Sequence, residues 1–326
     1  MAQPLIILAG PTAVGKTGLS IELARAAGGE IISADSMQVY RHMDIGSAKV
    51  TRGEMRGVPH HLIDVLEPTE DFNVTRFLAM AKEALSGIIS RGHVPIVAGG
   101  TGFYIQALAY DIDFTQHGMD DTFRRQLEQV AGEKGPEVLH RMLREQDPKA
   151  ADEIHPNNVK RVIRALEFFH QTGGRISEHN ETERKKNSPY DLFYYVLNTE
   201  RSILYERIEA RVDQMMADGL VDEVRRLRAM GCTRELVSMQ GLGYKEILDY
   251  LEGRTGLEEA VSTIKRDTRH FAKRQLTWFR RERDVRWLDL PRFDNDREKV
   301  LEYILGEIRA VCPGLCPSAS PTLHNG

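Results

Sequence analysis

The chain has 326 residues, 41% hydrophobic and 28% charged, which suits a folded protein with a sizeable core and room for two domains or one domain with an insertion. A formal net charge of −4 excludes a global polycation, so any nucleic acid must be held by local basic patches. Cys232, Cys312 and Cys316 make neither a disulfide framework nor a zinc-finger spacing, and no signal peptide or run of ~18 apolar residues stands out; both point to a reducing, cytoplasmic setting.

In chain order, the apolar run Leu5–Ala9 predicts a strand and a helix starts near Thr17. Between them, Gly10-Pro11-Thr12-Ala13-Val14-Gly15-Lys16-Thr17 fits the spacing Gly-x4-Gly-Lys-Thr of a phosphate-binding loop. The glycines let several backbone N–H groups turn inward on an anion. The helix start adds its positive dipole end, Lys16 adds a point charge, and the Thr17 hydroxyl can meet a Mg2+ ion that also binds the phosphates. A di- or triphosphate is thereby expected; which one, and its fate, stay open.

Glu30–Ser33 and Pro95–Ala98 read as further strands, with a helix over 74–91 between them. The alternation predicts an α/β fold with a mostly parallel sheet and ligand chemistry at the carboxyl ends of its strands. Three polar or glycine-rich turns fall there: the phosphate loop, Ala34-Asp35-Ser36-Met37-Gln38 and Gly99-Gly100-Thr101-Gly102. They are expected to converge on one crevice.

Residues 116–190 are charged and helical in pattern, with helices over 121–134, 137–146 and 158–172 and a flexible exit from Ser177 to Ser188; they read as an insertion between core segments 1–115 and 191–311. The sheet resumes at Leu192–Leu197, which is rich in β-prone residues. Helices over 203–217 and 220–230, a loop at Ser238–Lys245, a long helix over 257–281, a strand over 285–290 and a helix over 294–311 follow. The tail 312–326, with its prolines and serines, reads as disordered.

Asp35 at a strand end has three readings: general base, Mg2+ ligand, or cap on a following helix. The strands ending before Gly10 and Gly99 carry no terminal acid, which favours a functional Asp35. Thr101 between glycines can approach a phosphate or simply close a tight turn. From Lys265 to Trp287 there are nine Lys/Arg and three Asp/Glu, interleaved with Phe271, Trp278 and Phe279. That face suits RNA, although an ordinary amphipathic helix reads the same way. Lys160, Arg161 and Arg164 form a second basic cluster, and Arg211 can either reach a diphosphate or pair at the surface. His60-His61 faces opposite ways on an extended chain and reads as structural or substrate-orienting. The residues alone leave three functions: group transfer from a diphosphate to a nucleic-acid base, a small-molecule kinase, or a nucleotide-gated RNA binder.

Nine ordered stretches resemble the bacterial tRNA dimethylallyltransferase family over about residues 4–310. They are Gly10–Thr17, Asp35–Tyr40, Met43–Lys49, His60–Asp64, Gly99–Tyr104, His155–Asn158, Arg211–Asp213, Gln240–Glu246 and Ala272–Arg280. The resemblance implies a P-loop, nucleotide-kinase-like core with a helical insertion that closes on the anticodon stem-loop. The reaction implied is transfer of a dimethylallyl group from dimethylallyl diphosphate to N6 of adenosine 37 in tRNAs reading codons that begin with U, by a monomer assisted by Mg2+ at Thr17. Asp35, Thr101 and Lys16 are the implied catalytic residues, and Gly10, Pro11, Thr12, Ala13, Val14, Gly15, Lys16, Thr17 and Arg211 the implied diphosphate site. The implied tRNA contacts are Asp35, Ser36, Met37, Gln38, Thr101, Arg124, Lys160, Arg161, Val162, Ile163, Arg164, Gln240, Gly241, Gly243, Tyr244, Lys245, Lys273 and Arg274. Val14 stands where the family often has Ser, and Asn158, a good helix cap, where it often has Asp. A relative that prenylates free AMP, ADP or ATP is the alternative, but it needs no such basic surface.

Overall fold

The computed structural model describes residues 3–114 and 121–313. Most of the expected tail, with Cys316, lies outside the described residues. Two compact units emerge, one from residues 1–109 and 188–326 and one from 110–187.

The first unit is built on six strands: β1 (Gln3–Ala9), β2 (Gly29–Ala34), β3 (His60–His61), β4 (Val94–Gly99), β5 (Tyr190–Asn198) and β6 (Val285–Asp289), ordered β3-β2-β4-β1-β5-β6. Every pairing is parallel. Parallel strands covered on both faces read as continuous apolar runs, and Leu5–Ala9 is buried throughout. Helices α1 (Lys16–Ala27), α2 (Val74–Ser90) and α3 (Gly102–Ala109) precede the second unit in the chain; α2 packs on β2 and β4. On the other face, Ile6, Leu8, Phe193 and Tyr195 share one core with Leu19 and Leu23 of α1.

Register fixes where the site lies. Gly99 pairs with Ala9 on one side and Ala34 on the other, so β1, β2 and β4 end level. The residues that follow, Gly10, Asp35 and Gly100, therefore leave the sheet side by side.

The second unit holds α4 (Asp121–Lys134), α5 (Pro136–Gln146), α6 (Pro148–Glu153), α7 (Val159–Thr172) and α8 (Ile176–Lys185) around Leu127, Leu139, Leu143, Val162, Ile163 and Leu166. The stretch expected as a flexible exit is mostly α8. Its start is pinned by buried Asp147, whose Oδ2 accepts the Ser177 N–H at 2.9 Å and whose Oδ1 accepts the Ser177 hydroxyl at 2.7 Å. The same Oδ1 caps α6 through the Ala150 N–H at 3.0 Å. Such a buried double tie is invisible in a polar stretch read locally. Asn158 occupies the N-cap of α7 but makes no side-chain cap bond, so its expected capping role is corrected.

The first unit then continues with α9 (Arg201–Ala217), α10 (Leu220–Ala229), α11 (Tyr244–Leu251), α12 (Leu257–Phe279) and α13 (Arg297–Val311). Within it, His60 and His61 form the edge strand β3. His61 Nε2 lies 2.6 Å from Glu30 Oε2, and Glu30 also takes Arg91 at 2.9 and 2.7 Å and His93 at 2.6 Å. These bonds, Arg91 foremost, pull the buried Glu30 carboxyl down to about 2.

Candidate active site

The phosphate loop leaves β1 at Gly10, where φ is 148° and a Cβ would stand 2.8 Å from the Leu197 carbonyl. No side chain fits so close an approach of two backbones. Ala13 is left-handed at φ 63°, the kind of backbone turn from which anion-binding concavities are built, and α1 begins at Lys16. Lys16 Nζ donates to the Pro11 carbonyl at 2.6 Å, so the ammonium folds back over the loop. Val14 is buried and packs within the α1 core, so the loop keeps its amides while its middle is anchored by apolar contact. The Thr17 hydroxyl lies at the exposed helix start.

Asp35 follows β2 and does not cap a helix. Its Oδ1 accepts the N–H groups of Met37 at 2.8 Å and Gln38 at 3.3 Å, closing an Asx turn that fixes the side chain. Oδ2 makes no hydrogen bond to a described residue. On the neighbouring strand end, the Thr101 N–H donates to the Ala34 carbonyl at 3.2 Å, and the Thr101 carbonyl starts α3 by accepting from Tyr104 and Ile105. Thr101 and Asp35 are thus held to the same Ala34 by adjacent backbone.

The electrostatics favour an anion beside Asp35. Dehydration, chiefly, and the nearby Arg211 guanidinium hold the Lys16 ammonium down at about 7, with Asp35 pulling the other way. Arg211, on α9, leaves much of its side chain at the surface, yet dehydration of its guanidinium also lowers its pKa against the attraction of Asp35. Neither cation forms an ion pair among the described residues. Two under-compensated cations beside a glycine-bounded loop at a helix start suit an anionic ligand. Among the described residues no group of three or more His, Cys, Asp or Glu could hold a metal by itself.

The remaining expected residues divide by environment. Gln38 Nε2 reaches the carbonyls of Ser47 and Ala48 at 3.5 and 3.4 Å, and Met37 packs on Gly241. Ser36 is half-buried beside them. Tyr244, expected at an RNA surface, is fully buried and donates to Glu223 Oε1 at 2.9 Å. Gln240 donates to the Arg234 carbonyl, Lys245 lies 3.5 Å from Glu246, and Gly243 caps α11 at φ 91°. Lys273 and Arg274 are exposed on a groove of about 390 Å³ lined by His270, Lys273, Arg274, Thr277, Trp278 and Arg281. That groove runs along one face of α12, whereas Phe279 on the opposite face is core.

In the helical unit, Lys160 and Arg161 are exposed and Arg164 half-buried on α7. Val162 and Ile163 are buried, so the helical period sends their side chains into the unit's core and not to a partner. Arg124 grips Glu167 through two bonds of 2.9 and 2.7 Å.

Two residues behind the site escaped the sequence reading. Glu223 on α10 is buried and accepts the N–H groups of Asp44, Ile45 and Gly46 at 3.0, 2.8 and 3.1 Å, holding the loop whose carbonyls meet Gln38. Gln275 on α12 is buried between the phosphate loop and Gly100. Both sit at apolar positions of a helical repeat: Leu220, Glu223, Val224, Leu227 and Ala272, Gln275, Leu276, Phe279. A polar residue on such a stripe is the signal that marks them.

Comparison with known proteins adds the context for this geometry. A family model described as IPP transferase matches residues 38–282, and one described as isopentenyl transferase matches residues 3–67. The tRNA dimethylallyltransferase of Lachnoclostridium phytofermentans is 59% identical over 302 residues, 93% of this chain and 96% of that protein. The solved tRNA isopentenylpyrophosphate transferase of Bacillus halodurans is 45% identical with a TM-score of 0.71, covering 94% of this chain and 97% of its own. A eukaryotic dimethylallyltransferase solved acting on tRNA is 30% identical with a TM-score of 0.81, covering 95% and 80%.

Proposed function

The chain belongs to the IPP transferase family, the tRNA dimethylallyltransferases, and from that premise we propose what its site does. The enzyme transfers a dimethylallyl group from dimethylallyl diphosphate to N6 of adenosine 37 in tRNAs that read codons beginning with U. The observation that supports this most is the level ending of β1, β2 and β4, which sets the phosphate cradle, Asp35 and Thr101 in one row.

In the reaction the N6 lone pair forms a bond to C1 of the allyl group while the C1–O bond breaks and its electron pair leaves with diphosphate. N6 is a weak nucleophile because that pair is delocalised into the ring. Oδ2 of Asp35 takes the N6 proton as the C–N bond forms, its orientation set by the Asx turn on Oδ1. The loop amides, Lys16 and Arg211 neutralise the charge that builds on the departing diphosphate. The Thr101 hydroxyl is the group this reading assigns to the leaving oxygen and the base. Ser36, Met37 and Gln38 hold the adenine, which must leave its stack to reach the donor.

Thr17, exposed at the start of α1 in a phosphate-loop spacing, would hold Mg2+ through its hydroxyl together with the donor's phosphates. When bound, the ion supplies further positive charge to the leaving group. Lys160, Arg161 and Arg164 of the helical unit, and Lys273 and Arg274 of α12, are cations for the RNA backbone. On this reading the enzyme acts as a monomer in the cytoplasm. No described helix is long and apolar enough to cross a membrane.

Mass spectrometry of anticodon-loop fragments after incubation with donor and tRNA tests the reading, with labelled AMP present as competitor. A mass increase at adenosine 37 is expected. Prenylated AMP with unmodified tRNA would overturn it. Asp35→Asn is expected to retain donor binding and lose ~100- to 10,000-fold in single-turnover rate; near-normal turnover would exclude Asp35 as the base.

A further inference from the structure

Gln275 lies 263 residues from Thr12 in sequence, and its amide joins the two loops that flank the reacting atoms. Its Oε1 accepts the Thr12 N–H at 2.9 Å, and its Nε2 donates to the Gly100 carbonyl at 2.9 Å. The side chain is buried, and a Cβ on Gly100 would overlap Nε2, so Gly100 is open to the amide only as glycine. Ala272 and Phe279 on the same stripe of α12 are buried, which fixes the helix and with it the reach of Gln275. One planar group with one acceptor and one donor thus ties the phosphate loop to the strand end that carries Thr101.

We infer that Gln275 is a positioning residue that sets the distance between the donor cradle and the Asp35–Thr101 acceptor side. The inference rests on the prenyl-transfer reading above. Two consequences follow from the geometry. First, the Thr12 N–H is spent on Gln275, so the amides that meet diphosphate are those from Ala13 onward, and Thr12 is left with its hydroxyl. Second, each loop keeps its own anchors without Gln275: the phosphate loop through Lys16 and Val14, and Thr101 through the Ala34 carbonyl. Losing the tie therefore leaves each ligand its site but loosens their separation. A misplacement of about 1 Å between reacting groups costs on the order of 100-fold in rate.

Gln275→Met keeps length and volume and removes both bonds. The expected result is a single-turnover rate ~30- to 100-fold below wild type, with dissociation constants for donor and for tRNA each within ~3-fold, by the misplacement argument. Gln275→Glu keeps the acceptor for Thr12 and loses the donor to Gly100, and serves if the Met variant does not fold. It is expected to lower single-turnover rate more than donor affinity. In the wild type without ligands, hydrogen exchange at the Thr12 amide is expected to be slow, and fast in Gln275→Met. Turnover within ~2-fold of wild type, or a rate loss matched by an equal loss of donor affinity, would overturn the positioning role. If wild type itself forms no prenylated RNA, the function assigned above fails; if wild type is active and Gln275→Met is equally active, only the inference fails.

Discussion

Lys16 offers the sharpest test of the site's electrostatics. Dehydration and the neighbouring Arg211 hold its ammonium at about 7, against an ordinary value of 10.5. At pH 8 roughly nine-tenths of the molecules then carry a neutral lysine, and at pH 6 roughly one-tenth do. Bound diphosphate adds negative charge beside Nζ and restores the ammonium, so binding at pH 8 takes up close to ~0.9 proton on this residue and at pH 6 ~0.1. Donor affinity through Lys16 accordingly weakens toward tenfold per pH unit above 7 and levels off below it. The donor's own ionisation acts on every variant, so Lys16→Met, which cannot titrate, is the control. Calorimetry in buffers of different ionisation enthalpy counts the protons directly. The expected difference between wild type and Lys16→Met at pH 8 is close to one proton, shrinking toward pH 6. The sign carries over to folding: a lysine with a depressed folded pKa destabilises the empty protein most below pH 7, and the penalty fades as pH rises toward 10.5. Its ceiling is ~5 kcal/mol and its real size smaller, because Lys16 keeps part of its surface in water. Lys16→Met should therefore melt higher than wild type at pH 6 without ligand. Equal proton uptake by the two proteins at pH 8 would refute a lysine poised near neutrality.

Other perturbations read different parts of the molecule. Arg211→Gln removes a charge that lowers the Lys16 pKa, so the midpoint of the proton-uptake profile should move up while donor affinity falls ~10-fold or more, measured by the same calorimetry. Glu30 has a folded pKa of about 2 against 4.5, so its contribution is present above pH 4.5 and is lost as pH falls toward 2. Because Arg91 and His93 are about half exposed, Glu30→Gln should cost ~1–2 kcal/mol at pH 7 and flatten acid unfolding between pH 4.5 and 2, followed by denaturant titration. Replacing Lys160, Arg161 and Arg164 by Gln should weaken tRNA binding and lower the slope of log K against log salt by about 2 to 3, with donor affinity unchanged. An unaltered salt slope would remove α7 from the RNA surface.

The fold class was legible in the chain's local patterns, and so was the phosphate loop proposed here as the donor site. Gly10–Thr17 needs only local backbone geometry to bind phosphate, and apolar runs alternating with helical periods dictate a parallel sheet whose strand ends carry the ligands. Asp35 and Thr101 were exposed in the sequence too, one directly after a strand and the other two residues after one. What it left open were roles that depend on which neighbour a side chain meets. Asp35 could cap a helix until the structure showed an Asx turn; Tyr244 and the buried pair Val162 and Ile163 looked available until packing turned them inward. The exit at Ser177 became α8 through Asp147, 30 residues away in sequence. Gln275 is the extreme case, reaching a loop 263 residues earlier. Local chemistry is written in short spacings, because covalent geometry fixes what lies within one turn. Register across three strands decides which loops lie side by side, one buried amide joins two of them, and only the folded chain brings those together.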